Sequence, residues 1–85
     1  MGEDILGSKG KVKILKVLMR LGEANITRIA RETRLHHKYV EKHLNDLVNQ
    51  GIVAEKRYGR IRMYSLRLDN PKVLLILHLI KSLEE

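Results

Sequence analysis

The sequence contains no cysteine, no phenylalanine and no tryptophan among its 85 residues. Without cysteine the chain can form no disulfide, no thiolate metal site and no cysteine nucleophile. Three tyrosines are the only aromatic residues besides histidine, so the core must be built from aliphatic side chains. Acidic residues are also scarce, since 10 stand against 17 lysines and arginines and leave a formal net charge of +7. This excess favours a polyanionic partner, nucleic acid first and a membrane surface second.

Long hydrophobic runs and targeting signals are absent as well. The longest apolar run, residues 73–77, is far shorter than the roughly 20 residues that a membrane span needs. The N-terminus carries Glu3 and Asp4, whereas a signal peptide begins with basic residues. We therefore expect a cytoplasmic protein without a membrane partner. Its length fits one domain over residues 1–85, with residues 1–7 as a loose arm.

The positive charge is concentrated in the middle of the chain. Residues 27–67 hold 10 basic and 4 acidic side chains, a net charge of +6, while both ends are close to neutral and strongly apolar. This distribution predicts a central binding surface on an apolar scaffold.

Capping residues and apolar periodicity divide the chain into five elements. Ser8, Asn25 and Asn70 are N-cap candidates, and Gly22 and Gly51 are helix stops. Gly59 can take the positive φ of a tight hairpin loop. The expected elements are a first helix at 8–22, a second at 26–33, a third at 37–50, a hairpin at 52–67 and a last helix at 71–84.

Two stretches carry a resemblance to a known family. The first runs from Ile29-Ala30 through Leu35-His36-His37-Lys38-Tyr39-Val40-Glu41-Lys42-His43-Leu44 to Leu47 and Gly51-Ile52-Val53. The second is Gly59-Arg60-Ile61-Arg62-Met63-Tyr64-Ser65-Leu66. Together they resemble helix 2, the turn, the recognition helix and the wing of winged helix-turn-helix DNA-binding regulators, of the arsenic-repressor-like and multiple-antibiotic-resistance-like types of bacteria and archaea.

The resemblance implies an α+β fold that is mainly α: a three-helix bundle, a β-hairpin wing and a C-terminal dimerisation helix. It implies a homodimeric, sequence-specific regulator of transcription that binds double-stranded DNA. Arg34 stands where the family usually has Gly, and His36 stands where it has Ser or Thr. Because histidine is a poor N-cap, we expect an irregular or shifted start of the third helix.

Helical geometry selects the residues that would reach base edges in the major groove. Lysine can donate to guanine, asparagine can bond adenine in bidentate fashion, and glutamate can accept from cytosine. A solvated helix face is the alternative. The base-contact candidates, on the face opposite the apolar stripe or at the leading end, are His36, His37, Lys38, Glu41, Lys42 and Asn45.

The hairpin and the second helix supply candidates for contacts to the DNA backbone. A hairpin tip with four cations can straddle a phosphate strand or place an arginine in the minor groove, although edge hairpins also use charge against aggregation. The wing candidates are Lys56, Arg57, Tyr58, Arg60 and Arg62. Further backbone candidates are Arg28, Arg31, Arg34 and Tyr39, and Tyr39 can alternatively pack on the second helix.

The terminal helices carry more apolar surface than a small monomer covers. The last helix is apolar over more than half its circumference, and the first helix has a second apolar stripe. We therefore expect a homodimer, the alternative being a last helix sunk entirely in its own monomer. The expected interface residues are Val12, Leu15, Met19, Leu75, Ile76, Leu79, Ile80 and Leu83.

Catalytic and metal chemistry have little support in the sequence. His36, His37 and His43 are not spaced as zinc ligands on a helix, so no metal or other cofactor is expected, and His43 is expected to be a packed, hydrogen-bonded residue. No nucleophile, phosphate loop or paired carboxylate accompanies them, so an enzyme is not expected. Two rivals to a sequence-specific regulator remain: a sequence-tolerant architectural DNA-binding protein, and a protein-interaction module of a transcription complex.

Overall fold

The order of helices and strands follows the sequence prediction, with one added strand. The computed structural model describes residues 5–84. The elements are α1 (Lys9–Leu21), β1 (Glu23–Asn25), α2 (Ile26–Thr33), α3 (His37–Asn49), β2 (Val53–Tyr58), β3 (Ile61–Leu66) and α4 (Pro71–Glu84). A helical bundle followed by a hairpin and a last helix is the winged-helix arrangement, so the predicted fold class is confirmed.

Side-chain caps start three of the helices at the predicted places. The side-chain oxygens of Ser8 and Asn25 accept hydrogen bonds from backbone amides three residues ahead, at 3.2 and 2.8 Å. The Oδ1 atom of Asn70 accepts from the amide two residues ahead at 3.0 Å, and Pro71 occupies the first helical position. Each bond satisfies an amide that the first turn of a helix leaves without a partner.

Helix α3 begins regularly at His37, so the expected irregular start is wrong. His36 has an extended backbone (φ −61°, ψ 140°), and its Nδ1 atom accepts a hydrogen bond from the Lys38 amide at 3.2 Å. A neutral imidazole nitrogen is an acceptor, and here it takes the place of the Ser or Thr hydroxyl. The turn between α2 and α3 therefore keeps a regular geometry without the usual cap.

The sheet has three antiparallel strands in the order β1–β3–β2. The sequence did not predict β1, because three residues are too few to show a strand periodicity. Ala24 of β1 lies opposite Tyr64 of β3, and both side chains are buried. The short strand thus ties the wing to the connection between α1 and α2.

The wing is a tight hairpin. Tyr58 pairs with Ile61 across a two-residue loop, in which Gly59 has the expected positive φ of 64°. The loop consists of Gly59 and Arg60, since Tyr58 still belongs to β2. It places Arg60 at the tip.

The core is aliphatic around one aromatic ring. Tyr64 is completely buried, and helices α1, α3 and α4 all contribute buried side chains. Ile5 is only 1% exposed and belongs to the same core. The expected loose arm is therefore wrong for residues 5–7, where Ile5 anchors the chain, and residues 1–4 lie outside the described residues.

Candidate nucleic-acid interface

Helix α3 turns one face into the core and the opposite face to solvent. Val40, Leu44 and Leu47 are completely buried, so residues on the far side of the helix point outward. The base-contact candidates that are exposed on or next to this side are His36, His37, Lys38, Lys42 and Asn45. The structure brings these five together, and their contact with bases stays a prediction.

Glu41 differs from the other base-contact candidates because, within residues 5–84, it alone has a charged partner. Its Oε2 atom accepts a hydrogen bond from Nη2 of Arg62 at 3.3 Å, and both side chains are partly buried. The pair joins the middle of α3 to strand β3 of the wing. Sequence reasoning missed this pair, since no pattern links two residues 21 positions apart before the hairpin register is known.

The wing carries its cations on both sides of the hairpin. Arg57 and Arg62 lie directly opposite each other on β2 and β3, where like charges repel. Each has an acidic partner, Arg57 with Glu55 at 3.8 Å and Arg62 with Glu41. Lys56, Arg57, Tyr58 and Arg60 are exposed, whereas Arg62 is partly buried. The hairpin therefore offers three outward cations and one that braces the wing against α3.

The candidates on α2 and in the turn do not share one environment. Arg28 is bound to Glu32 by an ion pair of 3.1 Å, and Glu32 also binds Arg20, so hydrogen bonds from Arg20 and then Arg28 lower the pKa of the Glu32 carboxyl. Arg31 and Arg34 are exposed and have no ion pair within residues 5–84. Arg34 adopts the left-handed conformation with φ 61°.

Tyr39 contacts His43 of its own helix. Its side chain is half exposed, and its ring meets the ring of His43 edge to face, with centroids 4.3 Å apart. A phosphate contact by Tyr39 and its alternative, packing on the second helix, both stay predictions.

His43 is buried between α3 and the start of α1. The expected hydrogen bond is wrong, because neither ring nitrogen has a partner in the described part of the chain. Burial lowers the pKa of the imidazole, Lys11 and Lys42 lower it further, and Asp46 acts in the opposite direction. A Cβ atom on Gly10 would lie only 2.7 Å from Nε2 of His43, so the glycine makes room for the ring. No pattern in the sequence indicated this requirement.

The apolar surface of the terminal helices is smaller than predicted. Leu15, Ile76 and Ile80 are at most 6% exposed and belong to the chain's own core, so their assignment to a dimer interface is wrong. The outward positions of α4 repeat at helical spacing, which turns them away from the core that holds α4 in place. The expected interface residues that keep exposed or half-exposed surface are Val12, Met19, Leu75, Leu79 and Leu83. Leu74, absent from the expected set, is also 53% exposed, but it lies about 180° around the helix from Leu83.

The described residues contain neither a candidate metal site nor a candidate membrane span. Within residues 5–84, no three histidine, aspartate or glutamate side chains are grouped as ligands for a metal ion. Among those residues, no helix combines the length and the apolar character needed to cross a bilayer.

Known structures share this fold over nearly the whole chain. The antimony-specific transcriptional repressor AntR is 24% identical, with a TM-score of 0.83 over 96% of this chain and 72% of that one. A homodimeric winged helix-turn-helix DNA-binding domain from Mycobacterium bovis, a possible ArsR-family regulator, is 22% identical, with a TM-score of 0.78 over 98% and 74%. A predicted DNA-binding transcriptional regulator from E. coli is 20% identical, with a TM-score of 0.80 over 95% and 83%.

Sequence comparison gives the family directly. Comparison with curated protein sequences yields no significant match. The family model described as bacterial regulatory protein, arsR family, matches residues 8–55, which is more than half of the chain. The matched range runs from the cap of α1 through α3 into the first wing strand. The chain therefore belongs to the ArsR family of bacterial regulatory proteins, whose members are DNA-binding transcription factors and not enzymes, as the sequence led us to expect.

Proposed function

We propose that this protein is a homodimeric transcriptional regulator that binds duplex DNA in a sequence-specific way. The proposal depends on the exposed row of Lys38, Lys42 and Asn45 along the outward side of α3. These side chains offer the donors and acceptors that distinguish base pairs in the major groove, and an α-helix fits into that groove. A row that served only for solubility would not require an uncharged asparagine among its members.

The wing supports the same proposal through contacts to phosphate. Lys56, Arg57 and Arg60 point outward on a hairpin that the Glu41–Arg62 pair attaches to α3. Phosphate contacts fix the position of a protein on DNA, while base contacts select the sequence. The division between α3 and the wing matches these two tasks.

Dimerisation is supported by the apolar face of α4. Leu75, Leu79 and Leu83 share one side of the helix and are between 39% and 78% exposed. The related domain from Mycobacterium bovis is homodimeric. A closed two-fold dimer brings each patch against its own copy. Two recognition helices would then enter successive major grooves about 34 Å apart.

We also infer a cytoplasmic protein, because a transcription regulator acts where DNA is accessible. The antimony specificity belongs to the related repressor. Soft metalloids prefer thiolate ligands, and this chain has no cysteine, so no such specificity is proposed here.

Selection of duplexes from a random pool, followed by fluorescence anisotropy, tests the proposal. We expect a palindromic consensus and a log K against log salt slope of about −5 to −9, if the dimer contacts roughly 6–10 phosphates. Bound duplexes without a consensus would favour a sequence-tolerant architectural protein. A slope near zero would favour a protein-interaction module.

Two substitutions separate the roles of α3 and the wing. Asn45→Ala removes a base contact, so we expect a loss of about 1–3 kcal/mol that is confined to one base pair per half-site. Arg60→Ala removes a phosphate contact, so we expect a uniform loss on all sequences and a shallower salt slope. Equal losses on consensus and random DNA for both variants would contradict base reading by Asn45.

A further inference from the structure

The outer side of α1 carries a row of cations that the recognition helix and the wing do not use. Lys9, Lys13, Lys16 and Arg20 recur every three or four residues and are all exposed. Helix α1 as a whole has five basic residues and no acidic one. Its contacts with α3 lie elsewhere, through Gly10 against His43 and Lys11 against Asp46. The row therefore faces neither the core nor the recognition helix.

Part of this row lines a groove whose opposite wall is the turn between α2 and α3. The groove has a volume of about 340 Å³, with Lys13, Lys16 and Arg20 on one side and Arg34 on the other. Glu32 is the single acidic residue of its lining, and Glu32 is neutralised by Arg20 and Arg28. Lys16 is partnered by Glu84 at 3.5 Å. Lys13 and Arg34 have no ion pair within residues 5–84, so they are available to an anion.

Arg34 provides a second, independent indication. Its φ of 61° lies in the left-handed region, which glycine adopts freely and a residue with a Cβ adopts at a cost. No hydrogen bond or ion pair of the Arg34 side chain within residues 5–84 offsets that cost. Strain of this kind at an exposed cation points to a function for the charge.

We propose that the groove between α1 and the turn, hereafter the α1 groove, is a second binding site for the phosphodiester backbone of DNA. The row from Lys9 to Arg20 rises about 16 Å along the helix, close to five base steps of about 3.4 Å on one strand. Cations on both walls of the groove can contact the phosphates of a DNA strand that passes between them. The inference rests on the proposed function, since it places the extra phosphates next to the DNA that α3 and the wing hold.

The phosphate strand has two possible sources, and the assays distinguish them. It belongs either to the DNA that flanks the operator or to a second duplex brought to the same protein. Contact with flanking DNA is measured as the difference in affinity, by fluorescence anisotropy, between duplexes of about 20 and about 40 base pairs. The shorter duplex covers only two half-sites one helical turn apart. Capture of a labelled duplex by protein bound to an immobilised duplex reports on bridging.

Two variants with matched controls test the α1 groove. Lys13→Gln is compared with Lys72→Gln, which removes the same charge from an exposed lysine at the start of α4. Arg34→Gly is compared with Arg34→Lys, which keeps the positive charge and still places a residue with a Cβ atom at the left-handed position. At about 0.15 M salt, loss of one phosphate contact should weaken binding about fivefold and reduce the salt slope by about 1 per protomer.

The outcomes decide both the site and its occupant. Losses for Lys13→Gln and Arg34→Gly on the longer duplex alone assign the groove to flanking DNA, and loss of capture alone assigns it to a second duplex. If the two variants lose as much affinity on the shorter duplex as on the longer one, the phosphate bound by the groove lies inside the operator. If both variants match their controls in every assay, the proposal is overturned.

An acidic protein as occupant is tested separately. If a polyglutamate peptide binds the wild type, and the two variants abolish that binding without changing DNA affinity, the groove takes an acidic protein and the proposal is overturned. The same assays can be carried out with duplexes of random sequence. If selection yields no consensus, the proposed sequence specificity is refuted, but the α1 groove can still be tested.

Discussion

Leu75→Glu is the substitution that most directly tests dimerisation through α4. The three leucines that share the outward side of α4, Leu75, Leu79 and Leu83, are 60%, 39% and 78% exposed, which together equals about 1.8 fully exposed leucines. At about 1.5–3 kcal/mol for each buried leucine, pairing two copies of this face gains about 5–11 kcal/mol. Association costs about 4–15 kcal/mol, so at the lower end of that cost the net gain is about 1–7 kcal/mol and the dissociation constant is expected to be about 10 μM or higher.

The expected effect of Leu75→Glu follows from its exposure. Leu75 is 60% exposed, so its burial in a dimer contributes about 1–2 kcal/mol per copy and about 2–4 kcal/mol per dimer. Losing it weakens association about 30-fold or more, and burying two carboxylates in an apolar interface weakens it further. The fold of the single chain should remain, because the side chain contributes little to the core.

Sedimentation equilibrium, from about 10 μM to about 1 mM, measures this change. Leu68→Glu is the matched control, since Leu68 is 59% exposed but lies in the turn before α4, beside Leu77 and strand β3. We expect Leu68→Glu to associate like the wild type. The reasoning is refuted if Leu75→Glu associates as tightly as Leu68→Glu, or if the wild type keeps a mass of 9.9 kDa throughout the range.

Three further predictions concern the structure of the single chain. Gly10→Ala should lower the free energy of unfolding by about 1–3 kcal/mol in urea titrations, because its Cβ atom would lie 2.7 Å from His43 Nε2; an unchanged midpoint would show that the ring moves at no cost. Burial lowers the pKa of His43 in the folded state, so its stabilising contribution is complete above the unfolded pKa and is lost as the pH falls. His43→Leu should therefore flatten the decrease in stability below about pH 6.5; an unchanged decrease would contradict this account. Arg34→Gly should raise the free energy of unfolding by up to about 1 kcal/mol by relieving the left-handed backbone; a lower thermal midpoint than that of Arg34→Lys would contradict this account.

The sequence by itself determined the helices, the hairpin and the outward row of α3. These features depend on local chemistry. The side chains of Ser8, Asn25 and Asn70 accept hydrogen bonds from amides two or three residues ahead, and Gly59 adopts the positive φ that the tight turn requires. The apolar stripe of α3 fixes which side faces the core, and the opposite side follows from helical geometry. The same locality explains why the family resemblance was visible over the turn, the third helix and the wing.

Only the tertiary structure decided which side chains already have partners. Glu41 is engaged by Arg62, Arg28 is engaged by Glu32, and His43 is buried without a hydrogen bond against Gly10. The apolar pattern of α4 did not distinguish the leucines left in water from Ile76 and Ile80, which the chain's own core covers. Periodicity tells which residues share a face of a helix, but burial and pairing depend on what packs against that face, and that is set by contacts between residues far apart in the sequence.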